Sequence, residues 1–494
     1  MAKKLYVFGI GGTGSRVIKA VTMLLASGYS LKNDFDTVVP IIIDPDTGNG
    51  DLNRTKDVLK LYQEIRNQVY QPDDFFKQEI KTVNQLSNDT GQVNSEHFQF
   101  SLNHVDQSSF SDYIGYNSLS DDYQNSRDDK NFTKLFYSKK NLESNLNVGF
   151  KGNPNMGSIV LNQFTDSEDF RKFGQTFNDG DVIFIINSIF GGTGAAGFPL
   201  LLKNLRGNPN LPNHAKIRDA EIGNITYLPY FALNKKGQIN SDSFEDKAKI
   251  AIDYYNRTII NDNQLQCIYF IGNKGNTKHF KYAVGGKEQE NNAHFLEMAG
   301  ALALFDFCEN TGNFSSSTSV KEFGIENDSE LIKFGDLNNY NQEQIVEPLT
   351  KYKLFAEYLK IGLSKSLGNT RWTKSNIKLV DKNKQSPIDK SYFESKEYKN
   401  QLKLFNEYFI EWLDEMEDNK PVFSPFNKLN WGNALHLVKN RPPNGNQSFK
   451  ALDTENCKLI TNSKFNSIEG KTHSPIIKLF GDSTEKVLRK KQVI

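Results

Sequence analysis

Cysteine is scarce in this sequence. Cys267, Cys308 and Cys457 stand far apart with no C-x-x-C pair, which excludes a disulfide framework and a zinc ribbon and fits a reducing compartment. Histidine numbers only seven, with no H-E-x-x-H, so a metal-catalysed hydrolase has no support. An excess of charge of one sign is also missing, since 60 basic residues face 59 acidic ones. No global field draws the chain to nucleic acid or to an anionic membrane, and any anion site must be local. No apolar run approaches the ~20 residues of a membrane span. The run in MAKKLYVFGIGG breaks at glycine too early for a signal peptide. A soluble, cytoplasmic protein is expected, and 494 residues leave room for two or three domains.

What is present begins with four apolar, β-branched runs, Leu5 to Phe8, Val38 to Ile43, Val182 to Ile186 and Cys267 to Ile271, which read as buried parallel strands. A fifth, Ile225 to Ala232, is more mixed. Helical patterns over Ser15 to Ala26, Ala195 to Leu205 and Phe244 to Ile259 alternate with them, so the fold class expected is α/β, a doubly wound, mostly parallel sheet. The stretch 70–147 is rich in Asn, Asp, Ser and Gln and reads as a partly disordered insertion in a domain spanning 1–310. Residues 290–309 form a long apolar helix pattern joining that domain to a mainly helical or mixed region, 311–494, which includes patterns over Ile345 to Leu363 and Tyr392 to Asp418. Its Trp412 and Trp431 bury core or bind a partner, and the closing KVLRKKQVI reads as a solvated tail.

Two glycine-rich loops carry the chemistry. The first strand runs into Gly9-Ile10-Gly11-Gly12-Thr13-Gly14-Ser15, where glycine permits positive φ and close approach of a phosphate to backbone N–H groups at a helix start. Alone this G-x-G-x-x-G is a weak signal, and a tight turn without a ligand is its bland alternative. The second, Gly191-Gly192-Thr193-Gly194-Ala195-Ala196-Gly197, again stands between a buried strand and a helix. A Rossmann site uses one such loop, so the pair points to a fold in which several loops surround one di- or triphosphate. Gly152-Asn153-Pro154-Asn155-Met156-Gly157 lies between them as a loop and turn.

The order strand, GIGGTGS, strand, IDPDTGNGD, GNPNMG, strand, GGTGAAG resembles the tubulin/FtsZ superfamily, as a divergent prokaryotic tubulin-like protein, over roughly residues 1 to 310. The resemblance implies GTP or GDP with Mg²⁺ as ligand. It implies phosphate contacts at Gly11, Gly12, Thr13, Gly14, Gly191, Gly192, Thr193, Gly194 and Ala195, a metal and phosphate role for Asp44 and Asp46, and a γ-phosphate sensor at Gly152 and Asn153. It places Asn273 and Asn292 (or Asn291) near the nucleoside. Acidic residues at strand ends often only solvate a turn, and Asn near an element end is more often a cap. The partner implied is a second copy, in a filament or oligomer, or another protein bound through the C-terminal region.

The family's acidic loop after the central helix has no counterpart in CENTGNFSSSTSVKEF, where Asp306 and Glu309 are the nearest carboxylates and both have structural readings. Hydrolysis and polymerisation are therefore left open, and no catalytic residue is assigned. A scaffold that binds nucleotide without turnover is one alternative. A ThiF-like adenylating enzyme is another, because GxGGxGS followed by Asp44, Asp46, Asn53 and Arg54 resembles that family too, although it gives no role to GNPNMG or GGTGAAG.

Overall fold

The computed structural model describes residues 3–70, 72–87, 98–105, 108–150, 152–163, 167–233, 244–273, 279–280, 286–323, 330–374, 388–461 and 472–494. Seven strands form its main sheet: β1 (Lys3–Ile10), β2 (Phe35–Ile43), β3 (Glu79–Ile80), β4 (Val182–Ser188), β5 (Ile222–Tyr227), β6 (Cys267–Ile271) and β7 (Ser319–Phe323). Every pairing is parallel and the order is β3-β2-β1-β4-β5-β6-β7. A parallel sheet covered on both faces needs apolar residues at successive positions, not alternate ones. All seven residues of β4, VIFIINS, are accordingly buried. The α/β class read from the apolar runs is the class observed.

From β1 the chain winds outward through β2 and β3, then returns to β4 and winds the other way. The reversal falls between β1 and β4. Outside the carboxyl ends of these two strands lies the crevice in which open α/β sheets hold ligands. The connecting helices are α1 (Gly11–Ala26), α2 (Gly50–Asn67), α3 (Pro154–Leu161), α4 (Glu168–Thr176), α5 (Gly192–Gly207), α6 (Phe244–Tyr255) and α7 (Phe295–Asn310). Helix α7 is the apolar helix expected over 290–309. It begins later because His294 caps it, accepting from Leu296 N while Glu297 reaches back to the His294 amide. Its small residues let it lie tight on the sheet: Gly300 faces Tyr227, whose hydroxyl donates to Leu296 O at 2.9 Å.

Three details depart from the pattern-based expectation. The fifth run is split: it joins the main sheet over Ile222–Tyr227, breaks at Pro229, which lacks the N–H a central strand needs, and resumes as a short strand, Ala232–Leu233, paired parallel with His279–Phe280 outside that sheet. The 70–147 stretch supplies the edge strand β3, and Gln99 just short of its middle forms a parallel bridge to Ile42. The sheet also takes its last strand, β7, from beyond residue 310.

The C-terminal region contributes α8 (Asn339–Glu357), α9 (Leu404–Glu417), α10 (Lys450–Leu459) and α11 (Ser474–Lys490). Helices α8 and α9 lie against α1 and α2, so the C-terminal region covers one helical layer of the sheet. Aromatic rings fill the seam, with Tyr352 against Phe75 at 5.0 Å and against Phe409 at 4.6 Å. Trp412 is buried there, while Trp431 is half-buried beside Phe449.

Candidate functional site

Helices α1 and α5 start at the carboxyl ends of β1 and β4, one on each side of the switch point. Neither start has a side-chain cap. Their first N–H groups therefore face the crevice with the positive ends of two helix dipoles behind them, an arrangement that suits an anion. Glycine is required by contact at several points. Gly11 holds φ +72°. A Cβ on Gly14 would press into the Gly9 backbone, 2.7 Å from its Cα and 3.2 Å from Ile186 O. A Cβ on Gly194 would stand 2.6 Å from Ser188 O. The two loops also touch, since a Cβ on Gly11 would lie 3.4 Å from Cβ of Thr193 and 3.7 Å from Gly194 N.

The Gly-Asn-Pro loop closes on the second of these. A Cβ on Gly192 would be 3.1 Å from Gly152 N and 3.2 Å from Asn153 N, and one on Gly157 would meet Ala196 Cβ at 2.9 Å. Gly152 holds φ +75°, Asn153 is the N-cap position of α3, and Pro154 opens that helix. Lys247 Nζ, from α6, donates to Gly152 O at 2.9 Å, and burial lowers the lysine from its usual range. Ala195 sits in the first turn of α5 beside Pro154 and Asn155.

The acid-bearing loop after β2 lies next to the first glycine loop. Asp44 is buried, its Oδ1 accepting from Asp46 N at 3.0 Å, and burial raises its carboxyl to about 7. Asp46 accepts from Gly286 N at 2.8 Å and is also pushed up by burial, against the opposing hydrogen bonds from Gly286, Gly48 and Asn49. Around Gly12 the nearest groups to a would-be Cβ are Gln289 Nε2 at 3.8 Å, Arg16 Nη1 at 3.9 Å and Asn49 Nδ2 at 3.9 Å, all hydrogen-bond donors. Among the described residues no group of three or more His, Cys, Asp and Glu could hold a metal alone.

The other expected residues fall differently. Thr13 is buried, with its hydroxyl bonded to Tyr230. Asn273 lies two residues past the end of β6, two strands from β4, its backbone N–H donating to Pro229 O at 3.3 Å. Asn292 O accepts from Asn419 Nδ2 at 3.3 Å, while Asn291 is bound through its amide and side chain to Asp51. Asp306 receives Tyr269 OH and Lys321 Nζ, each at 2.5 Å, and Glu309 pairs with Lys32 at 2.7 Å.

Pattern reading missed a buried ionic cluster beneath the first loop. Arg16 Nε meets Glu297 Oε1 at 2.5 Å, its Nη1 meets Asp51 Oδ2 at 3.0 Å, and its Nη2 donates to Tyr230 OH at 2.6 Å. Arg54 joins Asp51 at 3.0 Å and Glu415 at 2.6 Å, and Lys19 reaches Glu415 at 3.5 Å. The signal was present in the sequence: Arg16 and Lys19 interrupt an otherwise apolar helix pattern, and charges are buried only when paired.

No protein-family model matches this chain, and no curated protein matches it. Solved structures do. Among them is CetZ2 from Haloferax volcanii, in its GTPgS-bound protofilament, with a TM-score of 0.29 and 13% identity over 62% of this chain and 58% of that one. This chain thus spans less than two thirds of that one. Within the described residues no helix is long and apolar enough to cross a membrane.

Proposed function

We propose that this chain binds GTP or GDP with Mg²⁺ in the crevice between β1 and β4, in the manner of the tubulin/FtsZ superfamily. The observation that carries the reading is the meeting of three loops at the switch point: Gly11 against Thr193, and Gly192 against Gly152 and Asn153. Backbone N–H groups of Gly11 to Gly14 and Gly191 to Ala195 bind the phosphates. Asp44 and Asp46 hold the ion, which neutralises phosphate charge when bound. Lys247 orients the Gly-Asn-Pro loop through Gly152 O. The guanine preference rests on the order of the motifs. Asn273 and the Asn291–Asn292 pair are its nucleoside candidates.

The pairing of Asp306 and Glu309 with Lys321 and Lys32 favours one further specification. With these carboxylates committed to structural ion pairs, the chain works as a nucleotide-dependent scaffold with slow turnover more readily than as a fast GTPase. Arg54, the phosphate-binding arginine of an adenylating site, is likewise committed to Asp51 and Glu415. Titrating the nucleotide-stripped protein with GTP, ATP and NAD tests the reading. Saturable GTP binding that needs Mg²⁺ supports it, and binding of ATP or NAD alone overturns it.

A further inference from the structure

Most of the large apolar side chains exposed among the described residues fall in two patches. The first is a helix, Gln124–Phe136, of which no residue is buried. Phe132, Leu135 and Phe136 are 63%, 81% and 60% exposed, and Tyr123 just before it is 70% exposed. The Phe132 and Phe136 rings stack edge to face at 5.0 Å. Helical spacing aligns Asp128, Phe132 and Phe136 in one stripe, with Asp129 and Leu135 beside it, and sets Arg127, Lys130 and Lys134 on the opposite face. The apolar face therefore carries only negative charge. A helix this short gains little stability alone, and in proteins such helices owe their stability to packing of the apolar face.

The second patch is a groove of about 970 Å³ between α5 and α6. Its walls include Pro199, Leu200, Ala251 and the exposed Ile250 and Tyr254, 73% and 50% exposed. Lys203 and Lys247 line it, and among the described residues no Asp or Glu does. The two patches are complementary: one is convex, apolar and acidic, the other concave, apolar and basic.

We propose that the Gln124–Phe136 helix of one copy docks in the α5–α6 groove of a second copy. Phe132, Leu135 and Phe136 enter the groove, and Asp128 and Asp129 meet Lys203. The two surfaces differ, so the contact is heterologous and head to tail, and it adds further copies unless a ring closes. The proposal does not depend on the nucleotide reading.

Sedimentation velocity of the full chain across a concentration series tests it, with three samples. These are the wild type, a helix variant (Phe132→Asp with Leu135→Asp) and a groove variant (Ile250→Asp with Tyr254→Asp), all at exposed positions that leave the core intact. The wild type is expected to grow with concentration and to shrink with added salt, and each variant alone to stay monomeric. An equimolar mixture of the two variants retains one good helix and one good groove, so it should give a 1:1 dimer and stop. A wild type monomeric at every concentration overturns the proposal. So does a groove variant that still associates, which would mean the helix pairs with itself, and so does a mixture that stays monomeric. GTP affinity measured on the same variants should not change, which separates failure here from failure of the nucleotide site.

Discussion

Arg16 Nε and Glu297 Oε1 stand 2.5 Å apart inside the protein, tying the helix that follows the first glycine loop to the cap of α7. Both side chains are buried, and Arg16 shares its charge with Asp51. Removing one member of such a pair leaves an uncompensated buried charge and costs about 3 to 5 kcal/mol, whereas removing both costs much less. Arg16→Met should therefore destabilise the chain by about that amount in urea unfolding. The double variant Arg16→Met with Glu297→Gln should recover part of the loss.

Gly14 and Gly207 make a contrasting pair. A methyl at Gly14 meets the backbone of Gly9 and Ile186, which cannot give way, while at Gly207, the last residue of α5, it meets nothing within 4 Å. Gly14→Ala should push α1 off β1, lower stability by about 1 to 3 kcal/mol and abolish nucleotide binding. Gly207→Ala should raise stability by roughly 0.4 to 1 kcal/mol. Thermal unfolding and a binding titration read both outcomes.

Asp44 should give stability a pH dependence of unusual sign. Burial raises its folded-state carboxyl from 3.8 to about 7, so between these values the folded chain holds a proton that the unfolded chain has lost. This contribution is full below about pH 4 and disappears as pH rises toward about 7, by at most about 4 kcal/mol at ~1.36 kcal/mol per unit. Asp44→Asn should flatten that slope in urea titrations at pH 4.5, 6 and 7.5. If Asp44 meets Mg²⁺ in the proposed site, binding of Mg-GTP at pH 6 should release a proton, measurable by calorimetry in two buffers of different ionisation heat.

Lys247 should distinguish tri- from diphosphate. It is half-buried and touches the site only through Gly152 O, so Lys247→Ala spares the fold but loosens the Gly-Asn-Pro loop. GTP affinity is expected to fall about tenfold, near 1.4 kcal/mol, with GDP affinity little changed. Equal weakening of both would mean that the loop does not sense the third phosphate.

The sheet was legible because burial on both faces writes itself as continuous apolar runs, as in Val182–Ile186 and Cys267–Ile271. The glycine loops were legible because close backbone approach admits no side chain, as at Gly14 and Gly194. Three features were not legible. β3 is two residues long, too short to carry a period. β7, SVKEF, is the edge strand, with Val320 and Glu322 exposed and Lys321 paired to Asp306, so it lacks the continuous apolar signature of a buried strand. The partners of Arg16, Asp51 and Glu297, come from positions 35 and 281 residues away, and no local pattern encodes such a contact.

The central claim is tested most directly by purifying the protein, denaturing it and identifying the released small molecules by liquid chromatography. The account predicts GTP or GDP in near one-to-one amount, lost in the Gly14→Ala variant. ATP, a dinucleotide, or no nucleotide together with no GTP binding by the stripped protein would contradict it.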